Sequence, residues 1–209
     1  MRKITRTTYV DDEGFTHEFE PINDEVEIIK KGNHFYAFYL AQDDGYESPD
    51  AWGGDSIFLV NYHRDFWVEN KKVIDKHDVI DWYRGEEIEQ EKDYKIFMLS
   101  CLVHSGVWLS LGRDFPCDPG GWDTSHVGVV LVSKKDFKTE EKQREAAQVI
   151  VDEWNMCLSG DVYGVIWEKF DKDKNLIDCE SVWGYYGHKN ALGELQNQKE
   201  YIEKQEEAA

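Results

Sequence analysis

The stretch from His104 to Gly128, HSGVWLSLGRDFPCDPGGWDTSHVG, gathers two His, a Cys, three Asp and two Trp around a Gly/Pro-rich turn. Ser105 adjoins His104, and Asp123 and His126 follow in the next loop. A nucleophile, a base and an orienting acid are what a hydrolase needs, and Ser105 or Cys117 with His126 and Asp123 could supply them. No G-x-S-x-G elbow accompanies them. Ser and Asp also build turns, and Gly120–Gly121 admits unusual backbone angles, so the same residues read equally as a structured recognition loop. In that reading Trp122, Asp123 and His126 are its contact residues.

Cys101, His104, Cys117 and His126 form a Cys2His2 set that zinc would accept. The spacing matches no common finger, and strand alternation puts Cys101 and His104 on opposite faces. The expectation is therefore a core Cys and a hydrogen-bonded His, with no metal. The sequence contains no P-loop, no GxGxxG and no Lys/Arg cradle, so no cofactor is expected either. His63–Arg64 and Arg113 read as salt-bridged rather than as anion sites. Trp108, Trp122, Trp154, Trp167 and Trp183 read first as core and second as an aromatic cage.

These residues need a frame, and hydrophobic periodicity describes one. VEIIK, a Gly32–Asn33 turn and HFYAFYLA read as a hairpin whose second strand is apolar on both faces. SIFLVNYH, YKIFMLSCLV (94–103), VWLSL and HVGVVLVS (126–133) read as further strands, the last the most central. Asp75 and Asp78 predict a capping box on a short helix that Gly85 ends. Ser133 with Asp136 predicts the opening of a helical region, and Ala147, Ile150, Val151, Trp154 and Leu158 give the main helix, about 139–158. DVYGVIWEKF and LIDCESVWGYY form a second hairpin about DKDKN. The fold class is α+β: a mainly antiparallel sheet built from hairpins, one main helix and a C-terminal helix. The expected organisation is an acidic N-terminal arm or edge segment (1–25), a single α+β domain (26–190) and a C-terminal helix or tail (191–209).

Charge narrows the functions. The 209 residues carry 24 basic and 43 acidic side chains, a net charge of −19. Direct binding to nucleic acid or to anionic lipid needs a basic footprint that this chain lacks. An acidic surface favours a basic partner instead. The carboxylates that could form it are densest at Asp43, Asp44, Glu47, Asp50 and Asp55, and again at Glu86, Glu87, Glu89, Glu91 and Asp93. With no apolar signal core, no membrane-length run and four widely spaced Cys, the expected location is cytoplasmic and the Cys are expected to be buried thiols.

Four pieces taken in order resemble a family of proteins from bacteriophages and other mobile elements. They are the acidic loop and strand from Ser48-Pro49 to His63-Arg64, the strand with HSG at Leu99 to Gly106, WD-[ST]-x-x-VG with its β run at Trp122 to Val132, and LSGDVYG with WGYYG at Leu158 to Gly164 and Trp183 to Gly187. The likeness covers roughly residues 45–190. The family form carries an acid just before HSG where this chain has Val103. No activity is assigned to the family, so the resemblance implies only origin: an accessory protein acting in the cytoplasm of a host bacterium. The expected function is binding and inhibition of a host factor, such as a defence component, through a carboxylate-rich surface. The partner would be a basic protein surface, one that itself binds nucleic acid being a natural case. A nucleotide or signal-molecule sponge, and a hydrolase using His104, Ser105, Asp123 and His126, are the alternatives.

Overall fold

A computed structural model describes residues 8–49, 56–64, 66–112 and 115–207. In chain order the strands are β1 (Tyr9–Val10), β2 (Thr16–His17), β3 (Glu27–Lys31), β4 (His34–Gln42), β5 (Ile57–His63), β6 (Phe66–Val68), β7 (Tyr94–Val103), β8 (Val107–Leu111), β9 (Thr124–Ser133), β10 (Val162–Phe170) and β11 (Leu176–Tyr186). The helices are α1 (Lys76–Tyr83), α2 (Glu140–Ser159) and α3 (His188–Glu207). Every sheet is antiparallel and hairpin-built, so the fold is α+β. Among the described residues no helix is long and apolar enough to cross a membrane. The chain forms two compact units: Met1–Tyr46 with Gly160–Ala209, and Glu47–Ser159.

The first unit is a four-stranded sheet in the order β11-β10-β4-β3. Both faces of β4 are apolar because both are covered. Tyr36, Phe38, Leu40 and Val165 meet Ala191, Leu195 and Ile202 of α3. Phe35, Ala37, Tyr39, Ile166 and Phe170 meet Phe15 and Phe19 of the N-terminal segment. Residues 8–25 of the expected arm thus cover one side of this sheet, with Phe15 fully buried.

A charge network pins that cover. His17 and Glu168 are both 0% exposed. His17 Nδ1 lies 2.6 Å from Glu168 Oε2, and its Nε2 lies 3.0 Å from Asp11 Oδ2. Glu168 Oε1 accepts from the Glu18 amide at 2.6 Å and the Tyr39 hydroxyl at 2.9 Å. With a carboxylate on each ring nitrogen, both nitrogens donate and the ring is an imidazolium. Burial alone would lower the His17 pKa, but the bonds to Glu168 and Asp11 outweigh it and hold the pKa above its ordinary value.

The second unit is a five-stranded sheet ordered β6-β5-β9-β7-β8, with β9 at its centre as its β-branched run predicts. α2 covers one face: Ala146, Ala147, Val151 and Trp154 recur at helical spacing and pack on Leu59, Leu99, Cys101, Leu109 and Val130. The other face carries Val79 of α1 with Ile74, Val60, Ile96, Val129 and Leu131. Asn155 of α2 pairs with both backbone groups of Leu109 (2.7 and 2.9 Å), closing part of the β8 edge.

The Asp75–Asp78 capping box forms as expected. The Ser133–Asp136 pair does something else. Ser133 Oγ accepts from the Asp136 amide at 3.3 Å, but the Asp136 carboxylate accepts from Ser56 Oγ at 2.7 Å, and only a turn results. The helix begins later, where Thr139 Oγ1 accepts from the Lys142 amide at 3.3 Å.

Candidate functional site

The site builds up at one end of the second unit's sheet, where the β7–β8 turn meets the loop that enters β9. The Val103 amide donates to the Asp123 carbonyl at 3.0 Å, and His104 Nδ1 lies 3.0 Å from Asp123 Oδ2. These two contacts join turn to loop. Asp118 organises the loop itself: its carboxylate accepts from the Trp122 amide (3.0 Å), the Asp123 amide (2.9 Å) and the Thr124 hydroxyl (2.8 Å). Partial desolvation would raise the Asp118 pKa, but these three donors prevail and hold the carboxyl below its usual range.

Asp118→Ala should therefore loosen the loop without unfolding the unit. The expected result is faster hydrogen exchange at the Trp122 and Asp123 amides and unchanged exchange along β9. The pH dependence has a fixed sign. Because the folded carboxyl is depressed, loop order is complete above the ordinary Asp pKa and is lost as pH falls through the lowered one. Amide exchange as a function of pH reads this directly.

The catalytic candidates divide. His104 and Asp123 are brought together, and a His oriented by an acid can act as a base. His126 belongs to a different contact. Its Nδ1 is 2.9 Å from Ser100 Oγ, directly across from it on β7, and its ring stacks on Tyr83 at 6.0 Å. Ser105 sits in the turn with φ of 56°, and among the described residues no hydrogen bond links it to His104, Asp123 or His126. A His–Asp pair is present, and no hydroxyl is poised on it. Cys101 is fully buried in the core, whereas Cys117 is exposed. Among the described residues no group of three or more His, Cys, Asp or Glu is arranged to hold a metal ion.

The binding candidates also separate. Trp122 is 91% exposed, against 4% for Trp154. Its indole folds over Gly120, where a Cβ would meet the ring at 2.4 Å. Trp108 and Val103 at the same end of the sheet are also exposed, as is Trp183 on β11. Of the five tryptophans read first as core, Trp154 is fully buried and Trp167 partly so. The other three stand at a loop tip, on an edge strand and on an edge hairpin; of these Trp183 is the least exposed, its ring lying over Gly164 and meeting Phe19 edge-on at 5.0 Å.

Asp43 is not a surface carboxylate. It is 8% exposed, and its oxygens accept from the amides of Gly45 (3.0 Å) and Gly184 (3.1 Å). Asp44 and Glu47 are exposed, while Asp50 and Asp55 lie outside the described residues. Of the second run, Glu86, Glu87, Glu89 and Asp93 are exposed and Glu91 is half-buried, accepting from Trp82 Nε1 at 3.3 Å.

Residue pattern alone did not signal the His17–Glu168–Asp11 cluster. The available signal was Glu168 in the alternation Ile166, Glu168, Phe170, a charge on a buried strand face that demands a partner. Comparison with family models, with curated proteins and with solved structures gave no match in any of the three.

Proposed function

We propose that the protein is an acidic binding module: an accessory protein of a phage or mobile element that engages and blocks a basic surface on a host protein. The observation that carries this reading is Trp122, 91% exposed on a loop that the Asp118 carboxylate already fixes through two backbone amides and the Thr124 hydroxyl. Exposed Trp on a pre-ordered loop is the form of an interface anchor, because the ordering cost is met before binding. Val103 and Trp108 are exposed apolar side chains at the same end of the sheet. Asp123 and the net charge of −19 supply the polarity that a basic partner complements. The unpoised Ser105 and the separation of His126 from His104 favour recognition over acyl transfer at this loop.

The test is capture of host proteins on the immobilised full chain, with identification of what binds, run in parallel with Trp122→Ala. A specific partner should be lost with the variant, its affinity falling by about 30-fold for an anchor contributing about 2 kcal/mol. It should also weaken as salt screens exposed charges over about 10 Å at 0.1 M. A partner held equally by Trp122→Ala, or insensitive to salt, overturns the reading.

A further inference from the structure

The outer strands of the two larger sheets are β11, β3, β6 and β8, and three of these edges are guarded. β6 is only three residues long. On β8, Asn155 occupies both backbone groups of Leu109. β3 carries Lys30 and Lys31, and its Glu27 is held by Lys199 of α3. Short length, lysines and a covering side chain are ordinary ways to keep a foreign strand off an open edge.

β11 has less of this protection. It is 11 residues long, contains no lysine, arginine or proline, and among the described residues pairs with β10 alone. Register shifts disturb the ladder near both ends, but Asp178 to Val182 run residue for residue opposite Lys169 to Val165. Along such a regular stretch, alternate residues turn their amides and carbonyls away from the strand they already pair with. That row is the template on which an added strand forms its hydrogen bonds.

The side chains on either face decide which strand fits. Asp178 and Glu180 lie toward α3, since Glu180 is opposite Trp167, which packs with Leu195 and Ile202. Cys179 lies on the other face with Phe19 and Ile166, and Ile177 shares that face at 51% exposure. An added strand would set alternate side chains beside the two carboxylates and the intervening ones beside Ile177 and Cys179. Basic residues in the first set and apolar residues in the second complement both faces. A second copy of this chain does not. Antiparallel self-pairing about Cys179 sets Asp178 opposite Glu180 twice, and pairing about Glu180 sets that carboxylate against itself. Like charges directly opposite are destabilising. We infer that the β11 edge accepts an extended segment of another protein, alternating basic and apolar residues, as an additional strand. This surface belongs to the first unit and owes nothing to the Trp122 loop.

The experiment titrates the isotope-labelled full chain with an acetylated hexapeptide amide that alternates lysine and valine. Amide resonances of Ile177–Val182 should shift saturably, and hydrogen exchange there should slow at least about tenfold at saturation. A peptide of three lysines followed by three valines, and one alternating glutamate and valine, should not bind. Two further peptides keep every side chain of the first but carry N-methyl groups on either the lysine or the valine amides. Methylating the set that faces β11 should abolish binding, because it removes the donors that an added strand needs. The variant Asp178→Lys/Glu180→Lys should lose the lysine peptide at least about tenfold and bind the glutamate peptide in its place. Both positions are exposed, and unchanged exchange along β10 shows that the variant is folded. The methylated peptides test the unmodified chain and need no variant. The inference is overturned if no resonance of this stretch moves, or if the block or glutamate peptide binds the unmodified chain as tightly. It is equally overturned if both methylated peptides bind like the parent, or if the chain alone is a dimer with protected β11 amides. None of these readouts involves Trp122, so failure here is distinct from failure of the proposed function.

Discussion

Glu168→Ala will destabilise the first unit by about 3–5 kcal/mol, the cost of breaking a fully buried ion pair from one side. The substitution leaves the His17 imidazolium with Asp11 alone, and it strips the acceptor from the Glu18 amide and the Tyr39 hydroxyl. The Tyr39 hydroxyl would then be a fully buried donor without its acceptor, and the part-buried Glu18 amide would lose this one. Urea unfolding with hydrogen exchange along β10 measures the loss. A double-mutant cycle with His17→Ala should show coupling of at least about 1 kcal/mol, because either single change already disables the pair. Strict additivity would mean that the two residues do not work as one unit.

The same cluster fixes the sign of the pH response. Since the folded pKa of His17 is raised, its contribution is complete below the ordinary imidazole value of 6.5 and is lost as pH rises through the folded value. Asp11 acts at the other end. Desolvation pushes its carboxyl up, but the bond to His17 and the Phe15 and Glu13 amides hold it below its ordinary value of 3.8. Its contribution is complete above that value and is lost as pH falls through the lowered one. Stability of this unit should therefore plateau between the ordinary carboxylate and imidazole ranges. In Glu168→Ala the alkaline decline should shrink, because the charged ring has lost its main partner.

The contrast between Val130 and Glu168 shows how far residues alone specify this molecule. The strands at 94–103, 107–111 and 126–133 were legible because unbroken apolar, β-branched runs leave the backbone few other ways to bury itself. Glu168 passes unnoticed in a strand that is otherwise apolar on that face, and its partner His17 is 151 positions away with nothing local to encode the pairing. Tryptophan misled for a related reason. Bulk predicts burial on average, yet coverage depends on whether a helix arrives above the strand, and none covers Trp108 or Trp122. Asp43 misled in the opposite direction: as one of several acids it read as surface, while two glycine amides make it an internal strut. At the candidate site the loop was recognisable as a loop. The register that gives His126 to Ser100 rather than to His104 was not.

Gly128→Ala should be as damaging as any change in the second unit, with an expected loss of about 3 kcal/mol or more from forced overpacking. β9 pairs Gly128 with Leu99 of β7 and with Asn61 of β5, but the next β7 partner, Ser100, faces His126. Val127 is therefore an extra residue, and this bulge draws the β5 backbone against Gly128. A Cβ there would lie 1.9 Å from the Val60 carbonyl oxygen and 2.9 Å from Asn61 Cα. Both are main-chain atoms of the neighbouring strand, so no side chain can rotate away to make room. Relief requires β5 to part from β9, which would pull Leu59 from one core and Val60 from the other. It would also disturb the Gly128 carbonyl that accepts the Tyr83 hydroxyl, whose pKa burial pushes up to about 12 and which therefore remains a donor. Gly193→Ala supplies the control. That glycine lies within α3 with nothing inside 4 Å of its would-be Cβ, so the exchange should stabilise by about 0.5–1 kcal/mol through helix propensity. Urea midpoints moving in opposite directions for the two variants are the expected result. Equal, small shifts would show that β5 does not press on the bulge, and the final glycine of the WD-[ST]-x-x-VG segment would then need a different physical account.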